Sequence, residues 1–176
     1  MSLALNVVLF NTLKKMRMKI RALTPRYDLD KHKATRVDFN RVDLEFIDSL
    51  DGLQFEQLCC EILNLRGYIN IHKTKVTGDF GLDILCDKDG ERYGIQCKCY
   101  SSPIGVHAVQ EAFSGSAYYD CDIPVVITNQ SFTYASQEMA RKLGVTLWDR
   151  DFLVRELSTI KRKKLIRKNK KAKGLL

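Results

Sequence analysis

Residues 81–99 read "GLDILCDKDGERYGIQCKC". Asp89-Gly90 within this stretch is the dipeptide favoured in two-residue type I′ hairpins, because both central residues must accept φ > 0. A turn there sets Lys88 opposite Glu91, and counting back along the ladder sets Asp83 opposite Gln96. Directly opposed side chains share a face of the sheet, with Cβ atoms roughly 5 Å apart. Lys98 lies two residues beyond Gln96 and joins that face, while Cys97 and Cys99 point to the other. One face therefore gathers a carboxylate, an amide and an ammonium, and the opposite face gathers small apolar groups. The pattern is a polar site backed by a core.

The flanking segments extend this hairpin into a domain. Asp51-Gly52 precedes a helix whose buried face is Phe55, Leu58, Cys59, Ile62 and Leu65, ended by Gly67. "YINIHKTKV" (68–76) alternates as a strand, and "TGDFG" (77–81) is a glycine-flanked bend. After the hairpin come a helix over 105–119, the apolar strand "IPVVITN" (123–129) and a helix over 134–143 closed by Gly144. A strand "VTLWD" (145–149) and a helix starting at 151–157 complete the order α-β-β-β-α-β-α-β-α. Antiparallel pairing first and crossover units after imply α/β: a central mixed β-sheet flanked by helices.

Charge divides the chain into three. Residues 1–26 carry six Lys or Arg and no acid, and residues 161–176 carry nine and no acid. The stretch between holds 14 basic and 21 acidic side chains, a net of −7, against +8 for the whole. The expected organisation is a basic amphipathic helix and linker over 1–41, a globular domain over 42–158 and a basic tail over 159–176. The amphipathic face is Leu9, Leu13, Met16, Ile20 and Leu23. It suits packing on the domain or a second copy, or contact with a membrane surface or nucleic acid; the membrane is the less favoured partner. "KRKKLIRKNKKAK" (161–173) reads as a solvated arm able to meet a polyanion. The run "LALNVVLF" is short of the about 20 apolar residues that span a bilayer. It also lacks a charged leader and a cleavage site. The six cysteines have no paired C-x-x-C spacing, so buried thiols in a reducing cytoplasm are expected.

Hydrolysis of a phosphodiester needs divalent cations to spread transition-state charge, and an activated water. Mg²⁺, or Mn²⁺ in its place, prefers carboxylate and amide oxygens. Asp83 supplies the carboxylate, Gln96 a neutral oxygen, and Lys98 a cation for the water or the phosphate. A single anion holds a dication poorly, so a second acid is expected from Glu56 on the first helix. Asp79 serves as a turn residue or an outer ligand. His107 and Gln110 suit substrate contact or ordinary helix surface. Asn129, Ser131 and Thr133 sit where a buried strand ends, as ligand groups or, for Ser131 or Thr133, as a helix cap.

"FEQLCCEILNLRGY" (55–68), "TGDFGLDIL" (77–85), "GIQCKCY" (94–100), "VQEAFSGSAYY" (109–119) and "VVITNQSFTYASQEMARKLGVTLWDRDFL" (125–153) follow one another with compatible spacing. This ordered set resembles the Mrr-like restriction endonuclease domain, a branch of the PD-(D/E)xK nuclease superfamily, over residues 50–155. The resemblance implies a restriction-endonuclease-like fold and a metal-dependent DNA endonuclease that restricts foreign or modified DNA. It places the superfamily's site on Asp83, Gln96 (glutamine where most branches have an acid), Lys98 and the helix glutamate Glu56. Leu82 stands where the superfamily has proline. A junction-resolvase-like repair nuclease and a non-catalytic DNA-binding module are the alternatives, and double-strand cleavage would call for a homodimer or two encounters.

Overall fold

A computed structural model describes residues 38–39, 41–74 and 80–172, with the backbone alone at 170 and 171 and Thr12 and Met16 as isolated helical positions. The rest of the expected N-terminal helix, most of the linker and Asp79 lie outside the described residues. Chain order is α1 (Leu44–Asp48), α2 (Gly52–Leu65), β1 (Ile69–Lys73), β2 (Ile84–Lys88), β3 (Glu91–Lys98), α3 (Val106–Tyr118), β4 (Ile123–Thr128), α4 (Tyr134–Leu143), β5 (Thr146–Trp148) and α5 (Arg150–Ala172). The strands form one sheet in the order β1-β2-β3-β4-β5. β1 to β3 are antiparallel, and β3 to β5 are parallel. This is the α/β mixed sheet that the segment order implies.

The hairpin has the expected turn. Asp89 and Gly90 lie at φ 52 and 83, and pairing runs from Lys88–Glu91 to Ile84–Ile95. The Asp83 N–H carries the contact onward to the Ile95 carbonyl at 2.9 Å. β1 is less regular: its register shifts between Ile69 and His72, with Asn70 at φ 52.

Two findings depart from the sequence reading. The short α1, capped by the Asp43 side chain, precedes α2, the helix expected to open the globular domain. The final helix runs on through the basic segment to Ala172, so the segment, exposed over residues 161–169, is helical. Lys, Arg and Leu are good helix formers, and no glycine or proline interrupts residues 145–173. α2 starts as expected, on an Asp51–Gln54 capping box.

The sheet separates two cores by strand parity. On one face, Phe55, Leu58, Cys59 and Ile62 of α2 meet Ile84, Ile95, Val125 and Ile127, with Leu153 and Leu157 of α5 beside them. On the other, Ala108, Val109 and Ala112 of α3 meet Val126 and Ala140 of α4. The six cysteines are free thiols. Cys97 and Cys99 pack against the α2-side core. Burial pushes the Cys60 thiol up to about 12 and the Cys97 thiol well above its ordinary value, so both stay protonated and pack as small apolar groups.

On the α3 side the layers touch through small residues. A Cβ at Gly94 would stand 2.6 Å from both Leu82 Cδ1 and Ser116 Oγ. Gly94→Ala should therefore lower unfolding free energy by about 1–3 kcal/mol, the usual cost of overpacking. Urea denaturation measures this. An unchanged midpoint would mean that α3 and β3 separate without penalty.

Candidate active site

Asp83 immediately precedes β2, and the antiparallel neighbour β3 ends at Lys98, so both residues stand at one end of the sheet. That end is also the carboxyl end of β4, since Lys98 is the register partner of Thr128. Open α/β sheets bind ligands outside the carboxyl ends of their parallel strands. Gln96 is in register with Val126 and so shares the face covered by α3.

Asp83 Oδ2 accepts two hydrogen bonds, from the Cys97 N–H at 2.6 Å and from Gln96 Nε2 at 2.8 Å. The second bond orients the Gln96 amide, because donating through nitrogen turns the oxygen away from the carboxylate. Gln96 is only 5% exposed, and its Oε1 is buried with no hydrogen-bond partner among the described residues. A buried amide oxygen left in that state costs about 1–3 kcal/mol, which a cation ligated there would offset. A carboxylate beside an orphaned amide oxygen is the donor chemistry of a hard divalent cation. Among the described residues no three His, Cys, Asp or Glu side chains converge on one point, and Asp83 is the carboxylate that contacts Gln96.

Lys98 Nζ stands 2.7 Å from Glu111 Oε2 of α3. Burial pulls the Lys98 ammonium toward deprotonation, but the hydrogen bond and charge of Glu111, with smaller help from Asp83, outweigh it and leave its pKa above the ordinary lysine value. Lys98 is thus a fixed cation. Glu111 also reaches the exposed His107, Oε1 to Nδ1 at 3.1 Å. Glu56 lies on the α2 side and pairs with Lys73 at 2.6 Å. Lys73 is the register partner of Ile84, and the adjacent Thr74 N–H donates to the Asp83 carbonyl at 2.9 Å. Glu56 therefore stands across the sheet from Gln96, at the same end of β2.

A family profile for restriction endonuclease, Mrr_cat, matches residues 47–157. The chain belongs to the Mrr_cat restriction endonuclease family. No curated protein matches it in sequence. Among solved structures, the DNA modification-dependent restriction endonuclease AspBHI superposes with a TM-score of 0.53 at 15% identity, over 76% of this chain and 39% of its own. A protein of unknown function, AF1548, gives a TM-score of 0.46 at 19% identity, over 53% of this chain and 55% of its own. The chain thus spans less than two thirds of either protein. At such identity the likeness to AspBHI shows the fold alone, and it agrees with the mixed sheet described above.

Within this Mrr_cat domain, the remaining candidates have diverse surroundings. Gln110 is exposed on α3 beside His107, and Ser131 is exposed after β4. Thr133, not Ser131, caps α4. Asn129 is 1% exposed and fully engaged. Its Oδ1 accepts from the Tyr100 N–H at 2.9 Å, and its Nδ2 donates to the Tyr100 carbonyl and to Asp48 Oδ1. Arg150 closes the unit with both carboxylate oxygens of Asp48 at 2.8 Å and with the Asn129 carbonyl. That fork holds the Asp48 carboxyl below its usual range. The Asn129 amide is consumed inside the protein, joining α1, the end of β3, β4 and α5. Nothing local in the sequence signalled this clamp, whose members are separated by up to 102 positions. Glu111 was also overlooked, although its four-residue spacing from His107 puts the two on one helix face.

Asn129→Ala should cost about 1–3 kcal/mol of stability, since it removes a buried amide whose oxygen and nitrogen hold the Tyr100 backbone N–H and carbonyl and Asp48. DNA affinity of the folded fraction should stay within about twofold. Thermal melts and fluorescence anisotropy separate the two effects, and a pure affinity loss at full stability would make Asn129 a substrate contact instead.

Proposed function

We propose that this chain is a Mg²⁺-dependent DNA endonuclease that hydrolyses phosphodiester bonds, in the restriction of foreign or modified DNA. The observation that carries the reading is the Asp83–Gln96–Lys98 cluster, in which an anchored carboxylate stands beside a buried amide oxygen lacking a partner among the described residues. Asp83 and Gln96 would hold the cation, which when bound supplies positive charge against the phosphorane and acidifies water. Glu56 is the proposed second acid, by its place in the family pattern and its position at the same end of β2.

The chain's own groups have separable tasks. The Cys97 N–H and the Gln96 amide keep the Asp83 carboxylate in one orientation, so it need not reorganise when phosphate arrives. Lys98 brings a second fixed positive charge toward the scissile phosphate or orients the attacking water. DNA is the substrate proposed, with binding assisted by α5. Its exposed Lys161, Arg162, Lys163, Lys164, Arg167 and Lys168 offer positive charge that the net −7 body lacks. Among the described residues no helix is long and apolar enough to cross a membrane.

Asp83→Ala and Lys98→Ala should each lower plasmid cleavage by orders of magnitude while DNA affinity changes little, and chelation should abolish wild-type cleavage. Equal nicking by wild type and Asp83→Ala would end the assignment. Removing residues 161–176, which leaves the buried Leu157 and Ile160 in place, should weaken binding and flatten its salt dependence. The slope should fall by up to about 0.9 log-log units for each DNA phosphate that the helix had neutralised. A slope equal to that of the full chain would show that the basic helix does not touch DNA.

A further inference from the structure

The chemistry above makes no use of Glu111, yet its carboxylate is what meets Lys98. Oε2 is buried and lies 2.7 Å from Lys98 Nζ, while Oε1 faces the exposed His107. The place of Glu111 is fixed by backbone packing. A Cβ at Gly81, which lies at φ +83, would come 2.9 Å from the Glu111 carbonyl and 3.0 Å from its Cβ. One turn further along α3, a Cβ at Gly115 would come 2.6 Å from the Phe80 carbonyl and 2.7 Å from Leu82 Cγ. α3 therefore rests directly on residues 80–82, the segment that leads into Asp83. A single packing junction sets Glu111 relative to both Asp83 and Lys98.

A free lysine would scatter over many rotamers, side-chain entropy that would be lost in the transition state. An ammonium has three donors, and an ion pair to a single Glu111 oxygen leaves donors for water or phosphate. We propose that Glu111 is a positioning residue for phosphodiester hydrolysis, acting through Lys98 by holding its ammonium beside Asp83. This rests on the nuclease reading of the site. The competing role is structural: neutralising a half-buried lysine so that α3 can dock.

The two roles part in a double-variant cycle on the full chain with Mg²⁺ and supercoiled plasmid. Glu111→Gln and Glu111→Ala should lower turnover by about 10- to 100-fold, as loss of supporting-shell partners does, with KM within about twofold. In a Lys98→Met background the same changes should add less than about twofold, because the residue through which they act is gone. Glu138→Ala, which removes an exposed acid on α4, is the control expected to match wild type. Gly81→Ala should reproduce part of the Glu111 loss by pushing α3 away. Independently of turnover, the side-chain ¹⁵N resonance of Lys98 should be visible in slow exchange in wild type and lost in Glu111→Ala. Losses that multiply in the double variant, or wild-type turnover in Glu111→Ala, would overturn the proposal. Should wild type fail to cleave, the nuclease reading falls. The resonance then decides the pairing by itself: an unchanged Lys98 signal in Glu111→Ala removes that too.

Discussion

A two-residue turn with both residues at positive φ leaves the β2–β3 hairpin one register, and the site depends on that register. Side chains in a strand alternate with a period of two, so a slip of one residue would carry Asp83 to the face of Cys97 and leave Lys98 without it. The hydrogen bonds at Asp83 Oδ2 reinforce the choice, since a slipped strand would offer the carboxylate neither the Cys97 N–H nor the Gln96 amide. The same alternation puts the thiols of Cys97 and Cys99 against the α2-side core and the polar groups under α3. Chemistry and packing thus occupy opposite faces of one strand.

The two helical layers meet the sheet differently. α2 buries phenylalanine, leucine and isoleucine, whose area supplies much of the burial on that side. α3 buries alanine, valine, glycine and serine and comes close enough for its backbone to touch residues 80–82. Close approach forgoes apolar area but fixes positions. It is the layer that carries His107 and Glu111, so rigidity falls where the charged groups need placement. The Asp48–Asn129–Arg150 clamp does the same on the other side of the sheet end, joining α1, β4 and α5 by charge-assisted bonds.

Charge is separated on a larger scale. The acidic body and the basic α5 meet without a loop, because the helix that contributes Leu153, Leu157 and Ile160 to the core continues outward with exposed Lys and Arg. At 1.5 Å per residue its 23 residues extend about 34 Å. Like charges along one helix repel by a few tenths of a kcal/mol per pair, which a polyanion would relieve. Lys164 lies over the Phe39 ring at 5.0 Å, so at least one of these cations also engages the body.

The amino-acid sequence by itself determined the segment order from α2 onward, the turn at Asp89-Gly90 and the shared face of Asp83 and Gln96. All three follow from local rules, namely helical and strand periodicity and the φ preferences of Asp and Gly. The family pattern, too, was legible as an ordered run of segments. Only the tertiary structure decided what surrounds those residues. That Glu111 rather than Glu56 meets Lys98 follows from which helix covers which face, and hydrophobic periodicity marks a buried stripe without saying what it packs against. That Asn129 serves as a clamp depends on Asp48 and Tyr100, contacts that bring together positions 81 and 29 apart. The helical course of the basic segment was not legible for a different reason. Its charge resembles that of solvated arms, but its residues favour a helix, and docking of the first turns on the core supplies the nucleus that an isolated segment lacks.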